Sequence, residues 1–182
     1  ALGRINKILD LKLEKNGTDV LKANGLGIDI SIKNLNFSYI QDKPLLQDIS
    51  LDIKAHDKIA LIGASGSGKT TLAQVISGFY SKNSGQICFN SISMDDIDKR
   101  SLRNSIFLVL QMPILFNNTL RFNMNMGSDK INDEQILQAL KTAQLNDMIS
   151  NMSEGLDTIV GKHGIRLSGG QRQRLSIARM II

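Results

Sequence analysis

A glycine-rich octapeptide, residues 63–70, constrains the fold of this chain more than any other feature of its sequence. It reads Gly-Ala-Ser-Gly-Ser-Gly-Lys-Thr and fits the pattern G-x-x-x-x-G-K-[ST]. The mostly apolar run 58–62 precedes it, which predicts a buried strand before the octapeptide and a helix that begins near Lys69. Glycines let a backbone wrap closely around an anion, and N–H groups at a helix start attract one. The octapeptide therefore predicts a phosphate-binding loop.

The residues of this loop are the first candidate ligands. We expect Lys69 to reach the β- and γ-phosphates of a nucleotide and Thr70 to place its hydroxyl on Mg²⁺. Taken alone, such a loop also fits kinases, GTPases and motor ATPases. Thr71 is a further candidate phosphate donor. The remaining candidates contribute backbone N–H groups or small side chains: Gly63, Ser65, Gly66, Ser67 and Gly68. The alternative is a glycine- and serine-rich turn that only caps a helix.

Hydrophobic periodicity divides the chain into a strand-rich first part and a helical second part. Apolar residues alternate over 28–33 and 46–53, which predicts half-buried antiparallel strands. Short strands are also predicted at 86–89 and 106–110, with a helix over 98–103 between them. Later helices are predicted after a capping-type start at Asn132, over 144–149, and after 168–170. Residues 1–27 read as a short amphipathic piece (Ile5, Ile8, Leu9, Leu11) and a polar linker.

Composition argues against several other classes of protein. Lysine and arginine exceed aspartate and glutamate by 22 − 17 = 5, but no basic run occurs and aromatics are 4% without tryptophan, so we expect no nucleic-acid partner. Cys88 is the single cysteine, and His56 and His163 have no cysteine companions, so no disulfide or zinc site is expected. No apolar stretch is long enough to span a bilayer, and we expect a soluble chain in a reducing setting.

A second motif follows at Leu167-Ser168-Gly169-Gly170-Gln171. Ser168 is a good helix N-cap, and the two glycines would expose N–H groups to an anion. Taken alone, this run could equally be an ordinary capped helix. Together with residues 172–179 and the phosphate loop, it resembles the signature motif of the ABC ATPase family.

This resemblance covers about residues 28–182 and implies an α/β fold with a P-loop (RecA-like) core, an antiparallel β subdomain and a helical subdomain. It implies a linker from a preceding transmembrane domain at 1–27, and the β subdomain and P-loop core at 28–110. The Q-loop and helical subdomain would occupy 111–166, and the signature motif and its helix 167–182.

The resemblance also implies roles for individual residues. Tyr39 resembles the aromatic residue that stacks on adenine, although a core tyrosine is the alternative. Gln111 resembles the glutamine that approaches Mg²⁺ and the attacking water, so the catalytic candidates are Lys69 and Gln111, and the metal candidates Thr70 and Gln111. Ser168, Gly169, Gly170 and Gln171 would hold the γ-phosphate bound by a second copy.

Two segments are similar to the exporter subclass: the surroundings of Gln111 (Leu115-Phe116, Thr119-Leu120, Asn123) and the run 157–161. Lys162 departs from the pattern, because exporters often carry glutamate there. His56 also departs, since a turn glycine is common, and we expect a positive φ at this position.

The family has an apolar run ending in Asp-Glu about twenty residues after the signature glutamine. The chain ends at Ile182, before that point, so the fold is expected to be C-terminally incomplete and without the catalytic Glu. We therefore expect the 182-residue chain alone to hydrolyse ATP negligibly, and to associate through an exposed sheet edge and apolar faces.

The resemblance implies the ATP-binding domain of an ABC exporter, which couples ATP binding and hydrolysis in a head-to-tail homodimer to substrate export. Its partners would be a second ABC ATPase domain and a transmembrane domain at the cytoplasmic face of the cell membrane. Bacteriocin and peptide exporters are a weaker resemblance, and the transported substrate is not indicated. Two alternatives are a non-transport ABC ATPase and a non-catalytic nucleotide-binding module.

Overall fold

A computed structural model describes residues 6, 9–10, 14–23, 25, 27–162 and 164–182. The chain forms two compact units, Ala1–Leu108 and Val109–Ile182, each with its own core. Most of the predicted amphipathic piece lies outside the described residues, as does His163. Within the described ranges, no helix is both long enough and apolar enough to cross a bilayer.

The first unit is built on an antiparallel sheet of four strands in the order β2-β1-β3-β4. The strands are β1 (Ile30–Phe37), β2 (Leu46–Ile53), β3 (Ser84–Phe89) and β4 (Ile92–Ser93). The described part of this unit also contains the helices α1 (Lys69–Ile76) and α2 (Lys99–Ser105). The antiparallel strands and both helices predicted from periodicity are therefore confirmed.

Alternation along the strands buries one face of this sheet. Ile32 of β1 lies opposite Ile87 of β3, and both side chains are fully buried. Leu72 and Val75 of α1 join them in one core, so the first turn of α1 is anchored beside the sheet. The core residues of this unit are Leu21, Ile32, Leu35, Phe37, Leu46, Leu72, Val75, Ile87, Phe89, Met94, Ile97 and Leu102.

The predicted strands at 58–62 and 106–110 are wrong for this structure, because neither stretch is in a strand. Most of their apolar side chains are exposed, with Ile62 at 94% and Phe107 at 50% of their full accessible area, while Ile106 and Leu108 are half-buried. A strand needs a neighbouring strand to receive its backbone hydrogen bonds. No described strand pairs with either stretch. The local pattern was correct for a buried strand, but a local pattern cannot supply the partner.

Residues 14–23, expected to be a linker, lie against the start of α2. The Asn16 side chain donates to Asp98 Oδ2 at 2.8 Å, and the Ser101 N–H donates to Asp98 Oδ1 at 2.8 Å. These two bonds lower the pKa of the Asp98 carboxyl below its ordinary value. Leu21 is 4% exposed and belongs to the core. This stretch is therefore docked on its unit rather than free.

The second unit is helical, apart from one short antiparallel pair of strands. Its helices are α3 (Leu120–Asn125), α4 (Asp133–Thr142), α5 (Asn146–Ser150), a 3₁₀ turn (Gly155–Asp157) and α6 (Gly169–Ile181). The strands are β5 (Asn118–Thr119) and β6 (Ile159–Val160). The predicted start of α4 is confirmed in detail, because Asn132 and Gln135 form a reciprocal capping box.

The core of the second unit lies between α3, α4 and α6. Ile136 and Leu140 lie one turn apart on α4, and Leu175 projects from α6; all three are fully buried. The full set is Leu120, Met124, Ile136, Ala139, Leu140, Ala143, Leu145, Met148, Met152, Leu156, Val160, Leu167, Leu175 and Ala178. This packing holds the N-terminus of α6 at the surface, where Ser168 is exposed.

Gly17 offers a test of the docked segment. A Cβ at this position would overlap the backbone carbonyl of Asp96. We expect Gly17→Ala to lower the free energy of unfolding by about 1–3 kcal/mol, as overpacking against backbone does. Chemical denaturation measures this change. Gly170→Ala is the matched control, since nothing lies within 4 Å of its added methyl group. An equal effect of both substitutions would contradict the docking.

Candidate nucleotide site

The loop 63–68 follows an irregular path that its glycines make possible. Gly66 and Gly68 have φ values of 82° and 90°, in the left-handed region that other residues rarely adopt. A Cβ at Gly68 would also lie 2.8 Å from Leu46 Cδ2, a core side chain. Gly68 therefore has to be glycine for two reasons: its positive φ, and the lack of space for a Cβ beside Leu46.

Helix α1 begins without a side-chain cap, because its N-cap residue is Gly68. The first N–H groups of a helix have no partner within the helix and carry a partial positive charge. The Lys69 ammonium lies beside them and donates to the carbonyls of Gly63 at 2.9 Å and Ala64 at 2.7 Å. The loop therefore combines N–H donors and a cation, the pair of features that an anionic phosphate requires.

The candidate ligands of the loop differ in exposure. Thr70 is exposed and Lys69 is half-buried, whereas Thr71 is 7% exposed. Gly63, Ser65, Gly66 and Ser67 are all exposed. The loop residues are thus open to solvent, whereas the Thr71 side chain is buried in the first turn of α1.

Tyr39 lies just beyond the end of β1 rather than inside the strand. Its ring is 52% exposed and makes edge-to-face contacts with Phe37 and Tyr80, at centroid distances of 4.9 and 5.1 Å. Its hydroxyl lies 3.0 Å from Thr71 Oγ1, in the first turn of α1. Tyr39 is therefore not a core tyrosine, and an open ring held beside the phosphate loop can receive a flat aromatic ligand.

Helix α6 begins in a different way from α1. Ser168 Oγ accepts the N–H of Gln171 at 3.2 Å, and Gln171 Oε1 accepts the N–H of Ser168 at 2.8 Å. This capping box leaves the N–H groups of Gly169 and Gly170 at an exposed helix start. Apart from the neighbouring residues and backbone of the helix itself, no atom of the described residues lies within 4 Å of a Cβ built on either glycine. An anion can approach these N–H groups without meeting a side chain.

Gln111 is exposed and lies in the irregular segment before β5. Its backbone carbonyl accepts a hydrogen bond from the Gln173 side chain, on the second turn of α6, at 3.2 Å. Of the sequence-predicted residues, the second unit thus contains Gln111 and residues 168–171, and the first unit contains the phosphate loop and Tyr39.

Sequence reasoning missed the central role of Asn123, which is fully buried. Its side chain accepts from the Phe116 N–H at 2.9 Å and donates to the Phe116 and Thr119 carbonyls at 2.9 and 3.0 Å. Arg179 of α6 donates to the Asn123 carbonyl at 2.6 Å and to Asn123 Oδ1 at 2.9 Å. Burial lowers the pKa of Arg179 from its ordinary value. The only signal in the sequence is an asparagine within the exporter-like stretch 115–123.

The exporter-like run 157–161 is bonded to α3, the helix that contains Asn123. The Arg121 guanidinium pairs with Asp157 at 3.0 Å and also with Asp133 at the start of α4. These carboxylates raise the pKa of Arg121. Lys162, which departs from the exporter pattern, is exposed, and His56 has the expected positive φ, 68°.

The sequence profile of a family described as "ABC transporter" matches residues 46–182. The chain belongs to the ABC transporter family. The match includes the phosphate loop, the Gln111 segment and the start of α6. The family assignment expected from the two motifs is therefore confirmed.

Individual relatives and a solved structure agree with the family. The chain is 41% identical over 168 residues to the uncharacterized ABC transporter ATP-binding protein YwjA of Bacillus subtilis, covering 92% of this chain and 29% of YwjA. It is 43% identical over 153 residues to an ATP-dependent lipid A-core flippase of Syntrophus aciditrophicus, covering 84% of this chain and 25% of the flippase. A bacterial Atm1-family ABC exporter with ATP bound matches with a TM-score of 0.88 and 30% identity, over 99% of this chain and 32% of the exporter.

These matches confirm the α/β ABC ATPase fold. The chain spans less than a third of the length of each of these relatives.

Asn123 gives a direct test of the second unit. We expect Asn123→Ala to lower the free energy of unfolding by about 3 kcal/mol, because the Phe116 N–H and one Arg179 N–H lose their acceptor, Asn123 Oδ1, at a fully buried site. Asn125→Ala on the same helix is the control, since Asn125 makes only a local bond to the Gly127 N–H. Thermal and chemical unfolding measure both variants. Equal stability of the two would contradict the role assigned to Asn123.

Proposed function

We propose that this chain is the ATP-binding domain of an ABC exporter. The observation that carries the proposal is the presence of two different helix starts in one chain, each open to an anion. Helix α1 starts at a glycine loop with a lysine, and α6 starts at a capped pair of exposed glycines. Relatives named as a flippase and as an exporter favour transport over the alternatives of a non-transport ATPase or a non-catalytic module.

In this proposal, ATP binds on the first unit. Lys69 leaves the carbonyls of Gly63 and Ala64 and pairs with the β- and γ-phosphates, since a phosphate is the stronger acceptor. The N–H groups of the loop and of the first turn of α1 hold the phosphate oxygens. The open ring of Tyr39 stacks on the adenine base.

The Thr70 hydroxyl and the Gln111 amide oxygen are hard donors of the kind that Mg²⁺ prefers, and each is a proposed ligand of this ion. Both residues are exposed. When bound, the ion neutralises charge on the β- and γ-phosphates. Gln111 would also orient the attacking water, while Lys69 stabilises the charge that develops on the phosphate.

A second copy of the domain would complete the site in a head-to-tail homodimer. The exposed N–H groups of Gly169 and Gly170 and the Ser168 hydroxyl of one copy would meet the γ-phosphate held by Lys69 of the other. ATP binding then favours the closed dimer, and hydrolysis removes the group that both copies share. The closing and opening of this dimer would change the conformation of a transmembrane domain, to which it binds at the cytoplasmic face of the membrane.

The phosphate loop and the signature segment can be tested separately in the full-length protein. We expect Lys69→Ala to abolish tight ATP binding, because a charge-assisted contact to two phosphates is lost. Ser168→Arg is expected to leave nucleotide binding by its own copy nearly intact while it blocks dimer closure and turnover. Nucleotide affinity is measured with a fluorescent ATP analogue, and turnover by phosphate release. An equal loss of affinity in both variants would contradict a site made by two copies.

Two substitutions of Tyr39 distinguish the effect of ring stacking on ATP affinity from the effect of the hydroxyl hydrogen bond. We expect Tyr39→Leu to weaken ATP binding about tenfold, the typical contribution of one base stacked on one aromatic ring. Tyr39→Phe keeps the ring and removes only the hydroxyl contact with Thr71, so its affinity should remain within about twofold of the wild type. Calorimetric titration with ATP measures both variants. Leucine and phenylalanine variants of equal affinity would refute stacking.

A further inference from the structure

The geometry points to Gln173 as a positioning residue that links the backbone of Gln111 to the start of α6. We infer that each copy thereby connects its two half-sites: its own Gln111, and the Ser168–Gly170 segment that faces the partner's nucleotide. This inference rests on the proposed function and adds to it a route by which the two nucleotides of a dimer influence each other.

The segment from Gln111 to Phe116 is held by its backbone carbonyls. Gln173 donates to the carbonyl of Gln111 at 3.2 Å, and Arg179 donates to the carbonyl of Ile114 at 3.1 Å. The third contact is from Asn123 to the carbonyl of Phe116, at 2.9 Å. Two of the three donors belong to α6, so the path of the segment follows this helix.

Within this segment, Pro113 is buried and Leu115 packs against the core of the second unit. Met112 is 75% exposed and Gln111 is also exposed, so little apolar burial holds the start of the segment in place. The hydrogen bond from Gln173 is therefore the main contact that the structure describes for the Gln111 end of the segment. The spacing of the contacts agrees with this description, because six residues of helix from Gln173 to Arg179 rise about 9 Å. Three residues of extended chain, from Gln111 to Ile114, cover about 10 Å.

The two ends of the segment from Gln111 to Phe116 are held with different firmness. Arg179 is partly buried and bonded to the fully buried Asn123, which makes the far end of the segment a rigid anchor. The bond between Gln173 and Gln111 is exposed and single, and it lies one turn from the glycines that start α6. A small shift of the helix start, when Gly169 and Gly170 close on a phosphate, would therefore move the Gln111 backbone while the far end stays fixed.

The test is a double-mutant cycle in the full-length protein in lipid nanodiscs, with ATP hydrolysis measured at saturating MgATP. We expect Gln173→Ala to lower kcat about three- to tenfold, the range for one lost hydrogen bond. The KM and the affinity for the ATP analogue should change less than about twofold, because the phosphate loop and Tyr39 keep all their contacts.

The cycle isolates action through Gln111. Gln111→Ala removes the side chain but keeps the carbonyl that Gln173 contacts, so Gln173→Ala should cause no further loss of the residual kcat in that background. Arg174→Ala is the matched control, an exposed neighbour on α6 that the structure describes without a hydrogen bond or ion pair. Its effect on kcat should be small and the same in both backgrounds.

Amide hydrogen exchange gives a second readout that does not depend on turnover. We expect Gln173→Ala, but not Arg174→Ala, to raise exchange several-fold at Gln111 and Met112, while the Phe116 N–H stays protected by Asn123. Unchanged exchange in Gln173→Ala, or additive losses of kcat in the cycle, would overturn the inference. Absence of turnover in the wild-type protein would instead refute the proposed function, and the exchange result would still decide whether Gln173 holds the Gln111 segment.

Discussion

The structure depends on backbone N–H groups that a helix cannot satisfy at its own start. Helix α1 leaves these groups without a side-chain cap, and α6 uses Ser168 to occupy one of them while Gly169 and Gly170 stay open. Such groups attract anions through hydrogen bonding and through the helix dipole. The fold of each unit holds one of these helix starts at the surface, where residues of its first turn are exposed to solvent.

Each unit does so with a different kind of anchor. In the first unit the anchor is apolar, because Leu72 and Val75 of α1 pack with the sheet directly behind the loop. In the second unit a polar anchor adds to the apolar packing of α6, because the buried amide of Asn123 joins the segment before β5 to α6 through Arg179. A buried polar group costs free energy unless it is fully bonded, so this arrangement specifies one conformation more strictly than apolar packing alone.

Features encoded by neighbouring residues could be predicted from the sequence. The two capping boxes, at Asn132 and at Ser168, and the positive φ of His56 depend on a few consecutive residues. Features that need a distant partner could not be predicted. Residues 58–62 and 106–110 have the composition of strands but lack a pairing strand among the described residues, and Asn123 meets Arg179 across 56 positions of sequence. The roles of the site residues came from the two motifs and stay predictions.

The central claim is that one ATP is held by the phosphate loop of one copy and by the start of α6 of another. The most direct measurement is a cryo-electron microscopy structure of the full-length protein with Mg²⁺ and a non-hydrolysable ATP analogue. The account predicts that the γ-phosphate beside Lys69 of one copy lies about 3 Å from Ser168 Oγ or the Gly170 N–H of the other. A closed, nucleotide-bound structure in which residues 168–170 of both copies lie beyond hydrogen-bonding reach of any phosphate would contradict it.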